Sequence, residues 1–332
     1  MICAKEREEY IQPLIELTRD DMLAVNKLIC SQTNSTVPII PKITHHLTSS
    51  GGKRLRPMIT LAAAKMFGYA GDHHIKLAAA VEFMHTATLL HDDVVDESKR
   101  RRGKSTARMV WGNQASVLVG DFLLGQAFKM IVKTRSLPCL HILSNAASII
   151  AEGEVMQLTA AKNIKTTEQE YFAIINAKTA TLFSAAAEVG PAISGKDEGT
   201  CSALAHYGKN LGLAFQLIDD ALDYSGIPEY LGKNTGDDFR EGKVTMPLIL
   251  SFSRSSQKER LFWKQAIEFG ENNNTAFAKA RTFINKHNSL HMTIQHARRF
   301  GEKARRTLLP FDPSPQKDAL IKIIDFCITR IN

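Results

Sequence analysis

The chain has 332 residues, 44% hydrophobic and 23% charged, a globular composition with length for one large domain or two ordinary ones. Its net charge of +8 suits nucleic acid, an anionic membrane surface or a phosphorylated substrate. The basic residues form no long tract and no zinc-finger or RNP-type motif, which sets nucleic acid aside, and five scattered cysteines without CxxC spacing exclude a disulfide framework or zinc site and point to a reducing cytoplasm.

The opening residues, MICAKEREEYIQP, carry charge where a signal peptide needs an apolar run. No stretch of about 18 uninterrupted apolar residues occurs, so no membrane-spanning helix is expected. The first strong break is Gly51-Gly52, followed in GGKRLRP by Lys53, Arg54 and Arg56. Such a loop either lies solvated on the surface or offers backbone N–H groups and cationic side chains to a phosphate. Residues 74–91 then carry Ala, Leu, Val and Met at three- and four-residue steps, predicting a helix apolar on more than one face and so mostly buried. His85 lies two turns before Asp92 and roughly on its face, whereas His91 reads as ordinary packing.

This helix runs into LLHDDVVD, with Asp92, Asp93 and Asp96. Positions i and i+4 share a helix face, so Asp92 and Asp96 repel, at a helix end where the dipole is also negative. A divalent cation relieves that repulsion, and clustered carboxylates suit Mg²⁺, which binds through one or two carboxylates plus substrate phosphates. The run Lys99-Arg100-Arg101-Arg102 follows at once, either as a salt-bridge network with the acids or as a phosphate-binding fork.

Further helices are predicted over 113–133, 139–160 and 200–223, separated by breakers such as Pro138 and Gly190-Pro191. Lys178-Thr179 opens another helix-like segment, KTATLFSAAAEVG. The last long helix repeats the acidic pattern in FQLIDDALDY, with Asp219, Asp220 and Asp223, and with Gln216 expected on the face of Asp219. The loop LGKNTGDDFREGK supplies Lys233, Asp237, Asp238 and Lys243, either as an ordinary polar loop or as a lid over phosphates. Strand patterns, repeats and low-complexity linkers are absent, so one all-α domain over 1–332 is expected, a helical bundle.

The ordered motifs GGKRLRP, LLHDDVVD with RRGK, GDFLL, AEGEVMQL, KTA, FQLIDDALDY and LGKNTGDD–EGK resemble those of the trans-isoprenyl diphosphate synthases. Among these the chain is most similar to the long-chain bacterial type that makes ubiquinone side chains. The resemblance implies an isoprenoid-synthase-type bundle around a deep cavity, a homodimer, and Mg²⁺-dependent head-to-tail condensation of isopentenyl diphosphate onto an allylic diphosphate, farnesyl diphosphate being the expected primer and octaprenyl diphosphate the expected product. It gives Asp92, Asp93, Asp96, Asp219, Asp220 and Asp223 to the metal. It gives Arg101, Lys178, Thr179, Gln216, Lys233 and Lys243 to the allylic substrate, and Lys53, Arg56, His85 and Arg102 to isopentenyl diphosphate. No side-chain base is implied, because the released diphosphate takes the proton. Arg100 stands at a variable position and receives no role.

Product length is expected to follow the room below the first motif, past Thr88, Ala87 and Met84. In the family bulky aromatics there stop growth, so the small Ala87 predicts a continuing tunnel, with Phe128 as part of its floor. On that reading Ala87→Tyr shortens the product and Phe128→Ala lengthens it. A cytoplasmic enzyme without stable membrane insertion is expected, with transient membrane contact at product release. Competing readings are a medium-chain synthase making farnesyl or geranylgeranyl diphosphate and a non-catalytic subunit of a heteromeric synthase, which usually lacks one acidic cluster. A terpene cyclase would normally carry an Asn/Ser/Glu metal motif in place of the second aspartate cluster.

Overall fold

A computed structural model describes residues 4–48, 51–225 and 235–331. Helices α1 (Ala4–Gln32), α2 (Ile39–Thr48) and α3 (Leu55–Met66) lead to the long α4 (His73–Val95). A two-stranded hairpin, β1 (Arg100–Arg101) and β2 (Lys104–Ser105), precedes α5 (Ala107–Val132) and α6 (Leu137–Ala160). Then come α7 (Glu168–Ile175), a single π-turn (Asn176–Ala180), α8 (Thr181–Ile193) and α9 (Glu198–Ser225). The chain ends with α10 (Asp237–Arg240), α11 (Met246–Ser253), α12 (Gln257–Ile267), α13 (Asn274–Lys286), α14 (Ser289–Leu308), α15 (Pro315–Ile328) and a 3₁₀ turn (Thr329–Ile331). The described residues are thus a helical bundle, as the sequence periodicity predicts.

Helix α4 is apolar around most of its circumference, and it is central for that reason: Leu77 through Val81, Phe83 and Leu90 are buried against α3, α5 and α8. Helix α9 lies between α8 and α14. Gly208 allows the close approach of α8 and α9, because a Cβ there would collide with the Phe183 carbonyl oxygen. Gly112, at φ 86°, kinks α5, so the regular run starts at residue 113, where the sequence places it.

Two features depart from the sequence reading. A hairpin stands where the sequence shows no strand pattern: Arg102 (φ 52°) and Gly103 (φ 78°) both take the left-handed conformation that a tight two-residue turn requires. In addition, Ala107–Lys133 is one helix apolar and long enough to cross a membrane by length and composition. One face packs on α4, while Val110, Val117, Leu118 and Val132 are exposed on the other.

A buried acid lies at the start of α12. Glu259 accepts hydrogen bonds from Lys286 Nζ (2.6 Å), the Ser256 backbone N–H (2.7 Å) and His287 Nε2 (3.2 Å). The Lys286 bond and then the Ser256 bond hold its carboxyl down from 4.5 to about 2. A depressed carboxylate stabilises the fold above its unfolded value and loses that contribution as pH falls toward its folded value. Wild-type protein should therefore lose this contribution between pH 4.5 and about 2. In urea titrations at neutral and acid pH, Glu259→Gln should show the smaller acid-induced drop in midpoint.

Candidate active site

One cavity of about 1040 Å³ opens among α3, α4, the hairpin, α6, α7, α9 and the C-terminal turn. The last turn of α4 brings its three aspartates to this cavity, each with a different partner. Asp93 is buried and accepts from Arg101 Nε at 2.9 Å. Asp96 accepts from Lys243 Nζ at 2.8 Å. Burial works against ionisation of Asp96, but Lys243 outweighs it and holds the carboxyl below its usual range. Burial likewise opposes the Lys243 charge, and Asp96, Asp238 and Glu241 more than restore it. Asp92 faces the cavity with Lys178 Nζ at 3.7 Å.

Helix α9 sorts the second motif in the same way. Asp219 faces the cavity and meets Arg330 Nη2 at 3.1 Å. Asp220 accepts from the Tyr171 hydroxyl at 2.5 Å and from Gln216 Nε2 at 2.7 Å. Gln216 thus binds Asp220 while lining the cavity together with Asp219, and its carbonyl oxygen accepts from Thr179 Oγ1 at 2.8 Å. Burial, followed by the nearby Asp238, pushes the Asp220 carboxyl up to about 8.

Asp223 is placed differently from the other five aspartates of the two motifs. It does not line the cavity; its oxygens accept from the backbone N–H groups of Gly236, Asp237 and Asp238 at 3.0, 3.1 and 3.1 Å. It anchors the start of α10, apart from the carboxylates that line the cavity. The physical reason is local, since the unpaired N–H groups at a helix start attract a carboxylate.

The π-turn and α6 place Lys178. Gly153 on α6 lies so close to the turn that a Cβ would come within 2.8 Å of Ala177 Cβ and 2.9 Å of the Lys178 nitrogen. That approach puts the next residue, Glu154, within 2.7 Å of Lys178 Nζ. Burial, and then Asp92 beside it, raises the Glu154 carboxyl to about 7.

The basic loop forms another part of the wall. Arg56 lies over the Phe183 ring at 4.2 Å and Lys53 over Phe326 at 4.2 Å. Burial lowers Arg56 to about 10. Gly52 makes room for Arg102, whose Nη1 would lie 2.5 Å from any Cβ there. Arg54 also lines the cavity and donates to Asn26 Oδ1 of α1 at 2.8 Å. His85 is held far below its ordinary value, first by burial and then by Arg56, Arg102 and Arg101, so at neutral pH it is an uncharged imidazole. Lys233 lies outside the described residues.

Of the chain-length candidates, only Thr88 lines the cavity. Met84 and Ala87 are buried in the core around α4, and Phe128 packs against that core. The cause is rotational: at about 100° per residue, Thr88 lies roughly 40° from Asp92 around the helix, Ala87 roughly 140°. Leu89, Ile174 and Ile175 add apolar wall.

Glu154, Tyr171 and Arg330 were not assigned from the sequence. Glu154 and Tyr171 carried a weak signal, lying in AEGEVMQL and seven residues before Lys178. Arg330 carried none, because 111 residues separate it from Asp219.

Among the described residues no three metal-binding side chains converge into a ready-made cage. The donor set nevertheless fits Mg²⁺ completed by substrate phosphates: Asp92 and Asp219 present hard oxygens to one cavity, each facing a cationic side chain.

The polyprenyl synthetase family model matches residues 37–284. Octaprenyl diphosphate synthase of Escherichia coli (strain K12) is 43% identical over 320 residues, covering 96% of this chain and 99% of the relative. A crystal structure of a polyprenyl synthase from Caulobacter crescentus CB15, complexed with calcium and isoprenyl diphosphate, superposes with a TM-score of 0.94 at 49% identity, covering 96% of this chain and 97% of that one. A decaprenyl diphosphate synthase from Rhodobacter capsulatus gives 0.92 at 48%, covering 96% and 98%. With likeness of this extent joined to a cavity that gathers both acidic motifs and the basic loop, the chain belongs to the polyprenyl synthetase family and is a prenyltransferase.

Proposed function

We propose that the protein is a long-chain trans-polyprenyl diphosphate synthase, adding isopentenyl diphosphate repeatedly, head to tail, to an allylic diphosphate such as farnesyl diphosphate. The observation that carries this reading is the convergence of Asp92, Asp219 and the Lys53–Arg56 loop on one cavity. The names of relatives, an octaprenyl synthase and a decaprenyl synthase, favour a long product, with octaprenyl diphosphate for a ubiquinone side chain as the first expectation.

Asp92 and Asp219 would hold Mg²⁺ against the allylic diphosphate, with Asp96 beside them. When bound, the metal neutralises charge growing on the departing diphosphate. Lys178, Arg101 and Lys243 stand around the same place and stabilise that charge with fixed donors. Lys53, Arg56, Arg102 and the neutral His85 orient isopentenyl diphosphate so that its C4 double bond meets the allylic carbon. Leu89, Ile174, Ile175 and Phe183 keep water from the allylic cation. The proton lost afterwards goes to the released diphosphate.

The apolar outer face of α5, with Val117 and Leu118 exposed, and that of α6, with Val155 and Met156, suit a second copy of the chain, giving a homodimer. The free thiols of Cys30, Cys139, Cys201 and Cys327 suit a cytoplasmic setting.

The test is incubation with Mg²⁺, farnesyl diphosphate and labelled isopentenyl diphosphate, followed by chromatographic sizing. Products longer than geranylgeranyl are expected, and Thr88→Tyr should shorten them by narrowing the wall below Asp92. A wild-type product ending at geranylgeranyl would replace the long-chain reading with the medium-chain one.

A further inference from the structure

We propose that Tyr171 is a positioning residue of the second acid wall, its hydroxyl fixing the Asp220 carboxylate so that Asp219 is the member of the pair offered to the metal–diphosphate. This rests on the reading of the cavity given above.

Tyr171 is 3% exposed, and its hydroxyl reaches Asp220 Oδ2 across 49 residues of chain. The other Asp220 oxygen takes the Gln216 amide, and Gln216 is itself held by Thr179. Both oxygens of a buried carboxylate are thus engaged by donors, one on α7 and one on α9. Two such bonds fix the plane of the group and keep it from turning to a metal. Asp219, the residue before it on α9, lies outside this network: it meets Arg330 at 3.1 Å at the cavity wall.

The element that carries Tyr171 is built to hold position. Helix α7 starts with a reciprocal cap in which Thr167 and Glu170 satisfy each other's backbone N–H. It continues directly into the π-turn with Lys178 and Thr179. One short segment therefore touches both walls: Tyr171 and Thr179 reach the Asp220 network, while Lys178 reaches Glu154 at 2.7 Å and Asp92 at 3.7 Å. Without the hydroxyl, Asp220 loses one of its two restraints and is free to rotate against Asp219.

Tyr171→Phe keeps the ring and its edge contact with Phe172 at 5.6 Å. Mn²⁺ titrated by electron paramagnetic resonance in the presence of inorganic pyrophosphate should bind the variant between about 10- and 100-fold more weakly. The KM values for Mg²⁺ and allylic diphosphate should rise with it, while the KM for isopentenyl diphosphate stays unchanged. In an Asp220→Asn background the further change to Phe should add nothing. A variant with a lowered melting point but wild-type Mn²⁺ titration would reduce Tyr171 to a packing residue, as would an equal rise in both substrate KM values. Failure of the wild-type protein to bind Mn²⁺ with pyrophosphate would instead overturn the reading of the cavity itself.

Discussion

Asp92→Ala and Asp219→Ala should each abolish incorporation of isopentenyl units, with turnover down by about a thousandfold or more. Each is the aspartate of its motif that faces the cavity outside the Arg101, Lys243, Tyr171 and backbone contacts holding the others. Stability should move in the opposite sense for Asp92. Its carboxylate stands four residues from Asp96 and beside Glu154, whose pKa it raises. Removing one member of a like-charged i,i+4 pair relieves roughly 0.2–0.5 kcal/mol of repulsion. The melting temperature of metal-free Asp92→Ala should therefore match or slightly exceed that of wild type, as measured by calorimetry. A large drop in melting temperature would mean that Asp92 acts through the fold and not through the diphosphate.

Lys178→Ala should produce the second largest loss, about 10²- to 10³-fold in kcat, the range for removing one fixed donor to developing charge. Lys178 lies between Glu154 and Asp92, and the π-turn aims it into the cavity. The KM for the allylic substrate should rise, whereas the KM for isopentenyl diphosphate should not, because Lys53 and Arg56 belong to another part of the wall. Here stability should fall: Glu154 and Asp92 would face each other with their shared cation gone. Steady-state kinetics with each substrate varied, beside a thermal melt, separates this pattern from that of Asp92→Ala. Unchanged allylic kinetics would remove Lys178 from the site.

The helical bundle and the location of the cavity were legible in the sequence because both rest on local periodicity. Carboxylates at i and i+4, at the ends of apolar helices, mark where charge must be compensated. Gly112 marks the start of the regular part of α5 for a similarly local reason. Long-range partners were not legible. Asp223 resembles Asp219 in sequence, yet its environment is set by N–H groups 13 to 15 residues further on. Arg330 reaches Asp219 only because α15 returns across the bundle. Arg101 and Arg102 lie on a two-residue hairpin too short to leave an alternating pattern. Ala87 looked like channel wall from its distance to the motif, but about one-third of a turn separates it from Thr88, enough to put it in the core.

The most direct measurement is a crystal structure with Mg²⁺ and the unreactive thiodiphosphate analogue of farnesyl diphosphate. Metal density joining both Asp92 and Asp219 to the same diphosphate, with the prenyl tail running down past Thr88 and Leu89, is the expected result. A diphosphate bound away from either aspartate, or a tail directed out toward solvent, would contradict it.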